Sequence, residues 1–127
     1  MNGAPILVNK INEMSEAYIG ASGSRSNTVR AAEFKAAVIN GAYRPVMLNC
    51  VIYEAMLVAT GQMAATVCLG FGAHDVAASK LIVEEAGGKV TNVFGEEQRY
   101  DQAVKGGIVS NGAIHDKLIK LADEYKM

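Results

Sequence analysis

An aspartate beside a glycine-rich turn is the most informative chemical feature of this sequence. Asp75 follows the apolar run 64–69 and the turn Gly70-Phe71-Gly72, and it opens a helical pattern that stops at Gly87-Gly88. This order predicts a carboxylate where the chain leaves the carboxyl edge of a sheet, which is where open α/β sheets bind ligands. The Asp75 oxygens could ligate a hard cation such as Mg²⁺. An aspartate at a helix start also caps backbone N–H groups, so position alone leaves both roles open.

Three further features could bind an anion. His74 stands next to Asp75 and could bind phosphate or titrate near neutrality, although an ordinary helix-start histidine is the simpler interpretation. Ser24-Arg25-Ser26 and Arg44 could hold a phosphate, because an arginine guanidinium binds such anions with two hydrogen bonds. A polar loop at a helix start is the plainer explanation for the first, and ordinary surface charge is the plainer explanation for Arg44.

The bulk composition is typical of a soluble globular domain. The chain has 127 residues, of which 50% are apolar, and its formal net charge is −1. We expect a single domain over residues 1–127, with no nucleic-acid partner and no membrane association, because no basic cluster or long apolar stretch occurs. Cys50 and Cys68 both lie in apolar runs. They predict two buried thiols in a reducing compartment, and hence a cytoplasmic protein.

Hydrophobic periodicity and turn residues place the elements that must position Asp75. Strands alternate with helices, which predicts an α/β fold with a mixed, largely parallel sheet flanked by helices. The polar stretch from Gly95 onward, including Glu96 and Glu97, is expected to be solvated surface. The predicted strands are 6–8, 17–21, 44–48, 64–69, 89–94 and 107–110, and the predicted helices are 28–39, 50–60, 75–86 and 113–125.

An ordered set of short motifs resembles the C-terminal part of the inositol monophosphatase family, over nearly the whole chain. In chain order these motifs are Asn2-Gly3-Ala4-Pro5-Ile6, Leu57-Val58-Ala59-Thr60-Gly61, Asp75-Val76-Ala77-Ala78, Glu85-Ala86-Gly87-Gly88, Gly106–Asn111 and His115-Asp116. The resemblance implies the fold of the C-terminal half of a sugar phosphatase. It also implies that Asp75 ligates an active-site Mg²⁺, together with a Glu motif and an Asp-Pro-x-Asp-Gly-Thr motif of the N-terminal lobe.

Neither of those N-terminal motifs occurs here, so the resemblance implies a truncated fragment that lacks the N-terminal lobe. We therefore expect part of a Mg²⁺-dependent phosphomonoesterase that hydrolyses a sugar or nucleotide phosphate and is inactive in isolation, because one carboxylate is a poor Mg²⁺ site. The alternative is a non-catalytic α/β module that retains the fold and acts in binding or assembly.

The resemblance also assigns substrate-binding positions. Asn49-Cys50-Val51 stands where the family has a Gly-Ser/Thr-Ala segment, Cys68 stands where some members bind sugar hydroxyls, and His74 replaces the usual tryptophan. A missing lobe would leave apolar surface exposed, so we expect a partner chain or self-association as a symmetric dimer. Segments 6–8 and 17–21 could then pair between chains across an open sheet edge.

Overall fold

A computed structural model describes residues 2–23 and 29–127, which form one sheet with helices on both faces. The strands are β1 (Tyr18–Ser22), β2 (Arg44–Val46), β3 (Ala65–Leu69), β4 (Lys89–Thr91) and β5 (Gly106–Ser110). The helices are α1 (Val29–Gly41), α2 (Val51–Ala59), α3 (Ala73–Glu85) and α4 (His115–Glu124), and a 3-10 turn lies at Met14–Glu16.

The strand order is β2-β1-β3-β5-β4, and the sheet is mixed. β1 runs parallel to both β2 and β3, whereas β5 runs antiparallel to both β3 and β4. The carboxyl ends of β1, β2 and β3 therefore share one edge of the sheet. β5 ends at the opposite edge, because its Ser110 pairs with Ala65 at the beginning of β3. This topology confirms the expected mixed α/β fold.

Helices pack in pairs on the two faces of the sheet. Phe34 and Val38 of α1 and Leu118 of α4 belong to one apolar cluster, while Val58 of α2 and Val83 of α3 belong to another. In α1 and α4 the buried positions recur every three or four residues, the spacing that predicts one buried face on a helix. Among the described residues, no helix is long and apolar enough to cross a bilayer.

Two expectations for the N-terminal segments are wrong. Residues 6–8 do not form a strand; they run as extended chain over the end of α3, where Val8 N–H donates to Ala86 C=O at 3.1 Å. Asn9 holds the same segment through its amide, which donates to the carbonyls of Gly61 and Met63. Segment 17–21 cannot pair between chains, because β1 is already bonded on both sides by β2 and β3.

Candidate functional site

The carboxyl ends of β1, β2 and β3, with the loops that follow them, form the candidate site, which we call the site edge. It comprises Ser22 at the end of β1, the loop 47–50 after β2, and the turn 70–72 that leads from β3 into α3. Parallel strands bring their following loops to the same edge, so residues distant in sequence meet there. The sequence-predicted residues 49–51, 68, 74 and 75 all belong to this edge or lie directly beneath it.

Asp75 lies in the first turn of α3, two residues after the helix begins at Ala73. Its Oδ2 accepts a 3.3 Å hydrogen bond from Gly72 N–H, and its own N–H donates to Gly72 C=O at 3.1 Å. The capping role that the sequence left open is therefore present. The side chain is 36% exposed, and among the described residues no donor reaches Oδ1, so one carboxylate oxygen remains available to a ligand.

The described part of the chain does not by itself make a magnesium site. Within it, no three His, Cys, Asp or Glu side chains come together in a way that could hold a metal ion. Mg²⁺ requires near-octahedral oxygen ligation, so one aspartate oxygen fits only as a single ligand of a larger set. A site with three or more such side chains would therefore need at least one of them from outside the described residues.

The loop 47–50 carries two of the candidate substrate-binding residues. Asn49 is exposed and has a positive φ of 53°, a left-handed conformation that asparagine tolerates better than most residues. Cys50 is exposed, so the expectation of two buried thiols is wrong for this residue. Val51 and Val58 are buried on the inner side of α2, whereas Cys50 stands before the first turn of that helix. Val51 is buried at the start of that helix.

Cys68 lies inside the molecule beneath the site edge. It has no exposed surface, and its Sγ lies 3.4 Å from Gly107 C=O. Burial raises the pKa of the Cys68 thiol to about 12, and the negative charges of Glu54 and, to a smaller extent, Asp75 act in the same direction. The thiol is therefore protonated and unreactive, and direct contact of Cys68 with a substrate is disfavoured.

The remaining sequence candidates differ in position. The His74 side chain is 88% exposed, with Nε2 3.6 Å from Asp75 Oδ2. Arg44 begins β2, so it lies at the edge opposite the site, with its guanidinium 5.5 Å from the Tyr43 ring centroid. Ser24-Arg25-Ser26 lies outside the described residues. Glu96 and Glu97 are exposed as expected, and Glu97 pairs with Lys80 of α3.

Sequence reasoning missed a buried carboxylate, Glu54, directly below the site edge. Glu54 has no exposed surface, and three donors surround it. The Ser22 hydroxyl lies 2.6 and 2.7 Å from its two oxygens, the Thr66 hydroxyl donates to Oε2 at 2.6 Å, and Leu48 N–H donates to Oε1 at 3.0 Å. Oxygen–oxygen distances of this length are typical of hydroxyl donors bonded to an ionised carboxylate.

A signal for this carboxylate was present in the sequence. Glu54 stands three residues after Val51 and four before Val58, so it falls on the buried stripe of α2 rather than on its exposed side. A charged residue in such a stripe is seldom buried without hydrogen-bonding partners. The donors could not be identified in advance, because Ser22 and Thr66 reach Glu54 only through the pairing of β1 with β3.

Comparison with known proteins gives consistent results. The model of the inositol monophosphatase family matches residues 1–127. A curated Thermotoga maritima protein, named fructose-1,6-bisphosphatase/inositol-1-monophosphatase, is 32% identical over 123 residues, which cover 97% of this chain and 46% of that protein.

Solved structures show the same fold. A Thermotoga maritima IMPase superposes with a TM-score of 0.82 at 31% identity, over 98% of this chain and 47% of that one. An inositol monophosphatase from Anabaena (Nostoc) sp. PCC 7120 gives 0.81 at 25% identity, over 97% and 49%. This chain thus spans about half the length of the relatives that it matches.

Proposed function

The chain belongs to the inositol monophosphatase family, and from that premise we propose that it is the C-terminal part of a Mg²⁺-dependent phosphomonoesterase. The observation that supports this most directly is the position of Asp75, partly exposed at the carboxyl edge of the parallel strands with one carboxylate oxygen available. A bound Mg²⁺ would neutralise phosphate charge and lower the pKa of a ligated water. The contribution of this chain would be one oxygen ligand and the surface beside it.

The proposed substrate class is a phosphorylated sugar or a nucleotide. The name of the Thermotoga maritima relative, which specifies a sugar bisphosphate and an inositol phosphate, supports the sugar more strongly. Asn49 is the exposed polar side chain that the loop 47–50 offers to substrate hydroxyls. His74, with its side chain almost fully exposed beside Asp75, would face the phosphate.

We expect no measurable phosphatase turnover from the 127-residue chain alone, because a lone carboxylate is a poor Mg²⁺ site. The measurement is phosphate release from inositol 1-phosphate and fructose 1,6-bisphosphate at millimolar Mg²⁺. The same chain joined to the polypeptide encoded directly upstream of it is expected to turn over. Steady turnover by the isolated chain would overturn the incomplete-site part of the proposal.

The upstream coding sequence separates this proposal from its alternative, a non-catalytic binding or assembly module. A Glu motif and Asp-Pro-x-Asp-Gly-Thr encoded in frame or nearby would support the phosphatase. Unrelated upstream sequence, together with an inactive joined polypeptide, would support the module. The exposed apolar side chains around β2 favour an assembly role if catalysis is absent.

Self-association of the isolated chain is proposed to use β2, the outermost strand on one side of the sheet. Tyr43, Met47 and Leu48, which directly flank β2, are each about half exposed, and such a group of large apolar side chains can mark a contact surface. Pro45 at the middle of β2 lacks an N–H donor, so contact would be through side chains rather than by strand addition.

Light scattering of the isolated chain at tens of micromolar is expected to give the mass of a dimer. Tyr43→Glu is expected to return the chain to a monomer, because the charge would be placed within the apolar contact. Phe94→Glu is the matched control, because Phe94 is 61% exposed against 58% for Tyr43. Phe94 follows β4, the outermost strand on the side of the sheet away from β2. A monomeric wild-type chain, or equal effects of both variants, would contradict the proposed interface.

A further inference from the structure

We infer that Glu54 is a positioning residue that fixes the conformation of the loop 47–50 at the site edge. The inference deepens the proposed function, and it rests on that function only for the identity of the ligand that the loop faces.

The Glu54 side chain and the first turn of α2 hold the loop on the two sides of Asn49. Its Oε1 accepts from Leu48 N–H at 3.0 Å, and its own backbone N–H donates to Cys50 C=O at 2.9 Å. Asn49 lies between these two anchored residues with φ at 53°. A left-handed non-glycine residue persists only where the surrounding structure determines it strongly. The bond to Cys50 C=O is the first backbone hydrogen bond of α2, which any residue at position 54 would make. The constraint that depends on the glutamate side chain is the bond from Leu48 N–H.

The carboxylate is itself fixed by the two central parallel strands. Ser22 at the end of β1 and Thr66 in β3 donate their hydroxyls to it. Gly20 provides the space, because a Cβ at that position would lie 2.5 Å from Thr66 Oγ1. Glu54 therefore connects the exposed loop to two paired strands in the interior of the sheet.

Nothing in the described residues suggests that Glu54 binds a ligand directly. It is fully buried, its two oxygens already accept from Ser22, Thr66 and Leu48, and it forms no ion pair in the described parts of the chain. Two of these donors belong to the sheet and one belongs to the loop. Thr66→Val therefore removes one sheet contact and leaves the Leu48 contact, whereas shortening Glu54 breaks the connection between sheet and loop. This difference distinguishes positioning from general stabilisation.

Two readouts report on the loop without requiring activity. The first is hydrogen exchange of the Leu48 amide by NMR, measured in the Tyr43→Glu background so that the proposed dimer contact does not cover Leu48. The Leu48 residue is 47% exposed, so in the monomer protection of its amide depends on the bond to Glu54. The second is the mobility of a nitroxide label on Cys50. Cys68 is buried with a raised pKa, so Cys50 alone should react in the native chain. In the wild type we expect a protected Leu48 amide and an immobilised label.

Three variants test the assignment. Glu54→Asp keeps the charge but is one methylene shorter, so it should not reach the strand hydroxyls and Leu48 N–H together. We expect the Leu48 amide to exchange at least about tenfold faster, which corresponds to the loss of one charge-assisted hydrogen bond. The label on Cys50 should become mobile. Glu54→Gln keeps the length and can retain the Leu48 bond through its amide oxygen, so the loop should remain ordered.

Thr66→Val is the matched control, because it removes one hydrogen bond to the same carboxylate from the sheet side. It should lower the thermal midpoint while leaving Leu48 exchange, relative to global unfolding, and the label mobility unchanged. Equal Leu48 exchange in Glu54→Asp and wild type would overturn the inference. So would an effect of Thr66→Val as large as that of Glu54→Asp, because in Thr66→Val the Ser22 hydroxyl still holds both carboxylate oxygens. An unprotected Leu48 amide in the wild type would overturn it even if a variant fails to fold.

The outcome is independent of the phosphatase proposal. If the loop responds to Glu54 as expected but the chain joined to its upstream polypeptide is inactive, the positioning role stands and the proposed function fails. If that longer protein is active, Glu54→Asp should raise KM for the phosphorylated substrate more than it lowers kcat, because the loop contacts the substrate rather than the reacting phosphate. An unchanged KM in an active protein would restrict Glu54 to a structural role.

Discussion

Asp75→Asn is expected to lower the turnover of the proposed complete phosphatase by about 10²–10³-fold, the usual effect of losing one group that stabilises transition-state charge. The substitution removes the negative charge that would bind Mg²⁺ but keeps the size of the side chain. Asparagine is also a good capping residue, so the bond to Gly72 N–H can persist. The free energy of unfolding should therefore change by less than about 1 kcal/mol. Steady-state phosphate release across a Mg²⁺ titration is the measurement.

Asp116→Asn provides the control for this substitution. Asp116 is also an exposed aspartate in the first turn of a helix, but α4 follows β5 and therefore begins at the edge opposite the site. Its loss should leave turnover within about twofold of the wild type, as is usual for surface changes away from a site. Similar activity of Asp75→Asn and Asp116→Asn would refute the metal-ligand role of Asp75. A large drop in the thermal midpoint of Asp75→Asn would show that its cap is the more important function.

The segment around Asp75 could be predicted from sequence because its signals are local. The turn at Gly70 and the helix stop at Gly87 both have positive φ, which glycine adopts without steric cost. The apolar run before the turn is β3, and the pattern after it is α3. A short strand was wrongly predicted at residues 6–8, because the apolar character of Ile6 and Val8 serves packing against the α2–α3 cluster rather than strand pairing.

The carboxylate below the site edge depends on contacts that sequence spacing does not encode. Glu54 meets Ser22 across 32 positions and Thr66 across 12, and the register of β1 against β3 brings the two hydroxyls together. Local patterns also failed at Cys50. Its apolar neighbours suggested burial, but it stands one residue before α2, where the buried stripe of the helix has not yet begun. Features set by register or by a helix boundary are therefore the least accessible to sequence reasoning.

The interior also contains a histidine whose hydrogen bonds fix a neutral ring. His115 is 1% exposed, with Nδ1 2.7 Å from Ser110 Oγ and Nε2 2.8 Å from Thr91 Oγ1. The Thr91 hydroxyl donates to Asn92 C=O, so its oxygen accepts from Nε2–H of the ring. The Ser110 hydroxyl accepts from Gly112 N–H and donates to Nδ1. Every group is satisfied with one proton on the ring. A second proton on Nδ1 would oppose the Ser110 donor.

Acid destabilisation through His115 is the second large effect that we expect. Burial, followed by the charge of Lys89, lowers the pKa of His115 from 6.5 to about 4, although Asp116 opposes the shift. Since the unfolded chain binds this proton at higher pH, the stabilisation is complete above pH 6.5 and is lost as pH falls towards 4. The difference corresponds to about 3 kcal/mol of unfolding free energy at most.

Urea unfolding between pH 7 and 4 measures this loss, and His115→Gln should remove most of it, because glutamine does not titrate. That variant should be less stable than the wild type at pH 7, so the two stability curves should converge as the pH falls. His74→Gln is the matched control, since His74 is the only other histidine and is exposed. Its curve should follow the wild type throughout. Parallel curves for His115→Gln and wild type would show that carboxylates, rather than this buried imidazole, determine the acid limit of the fold.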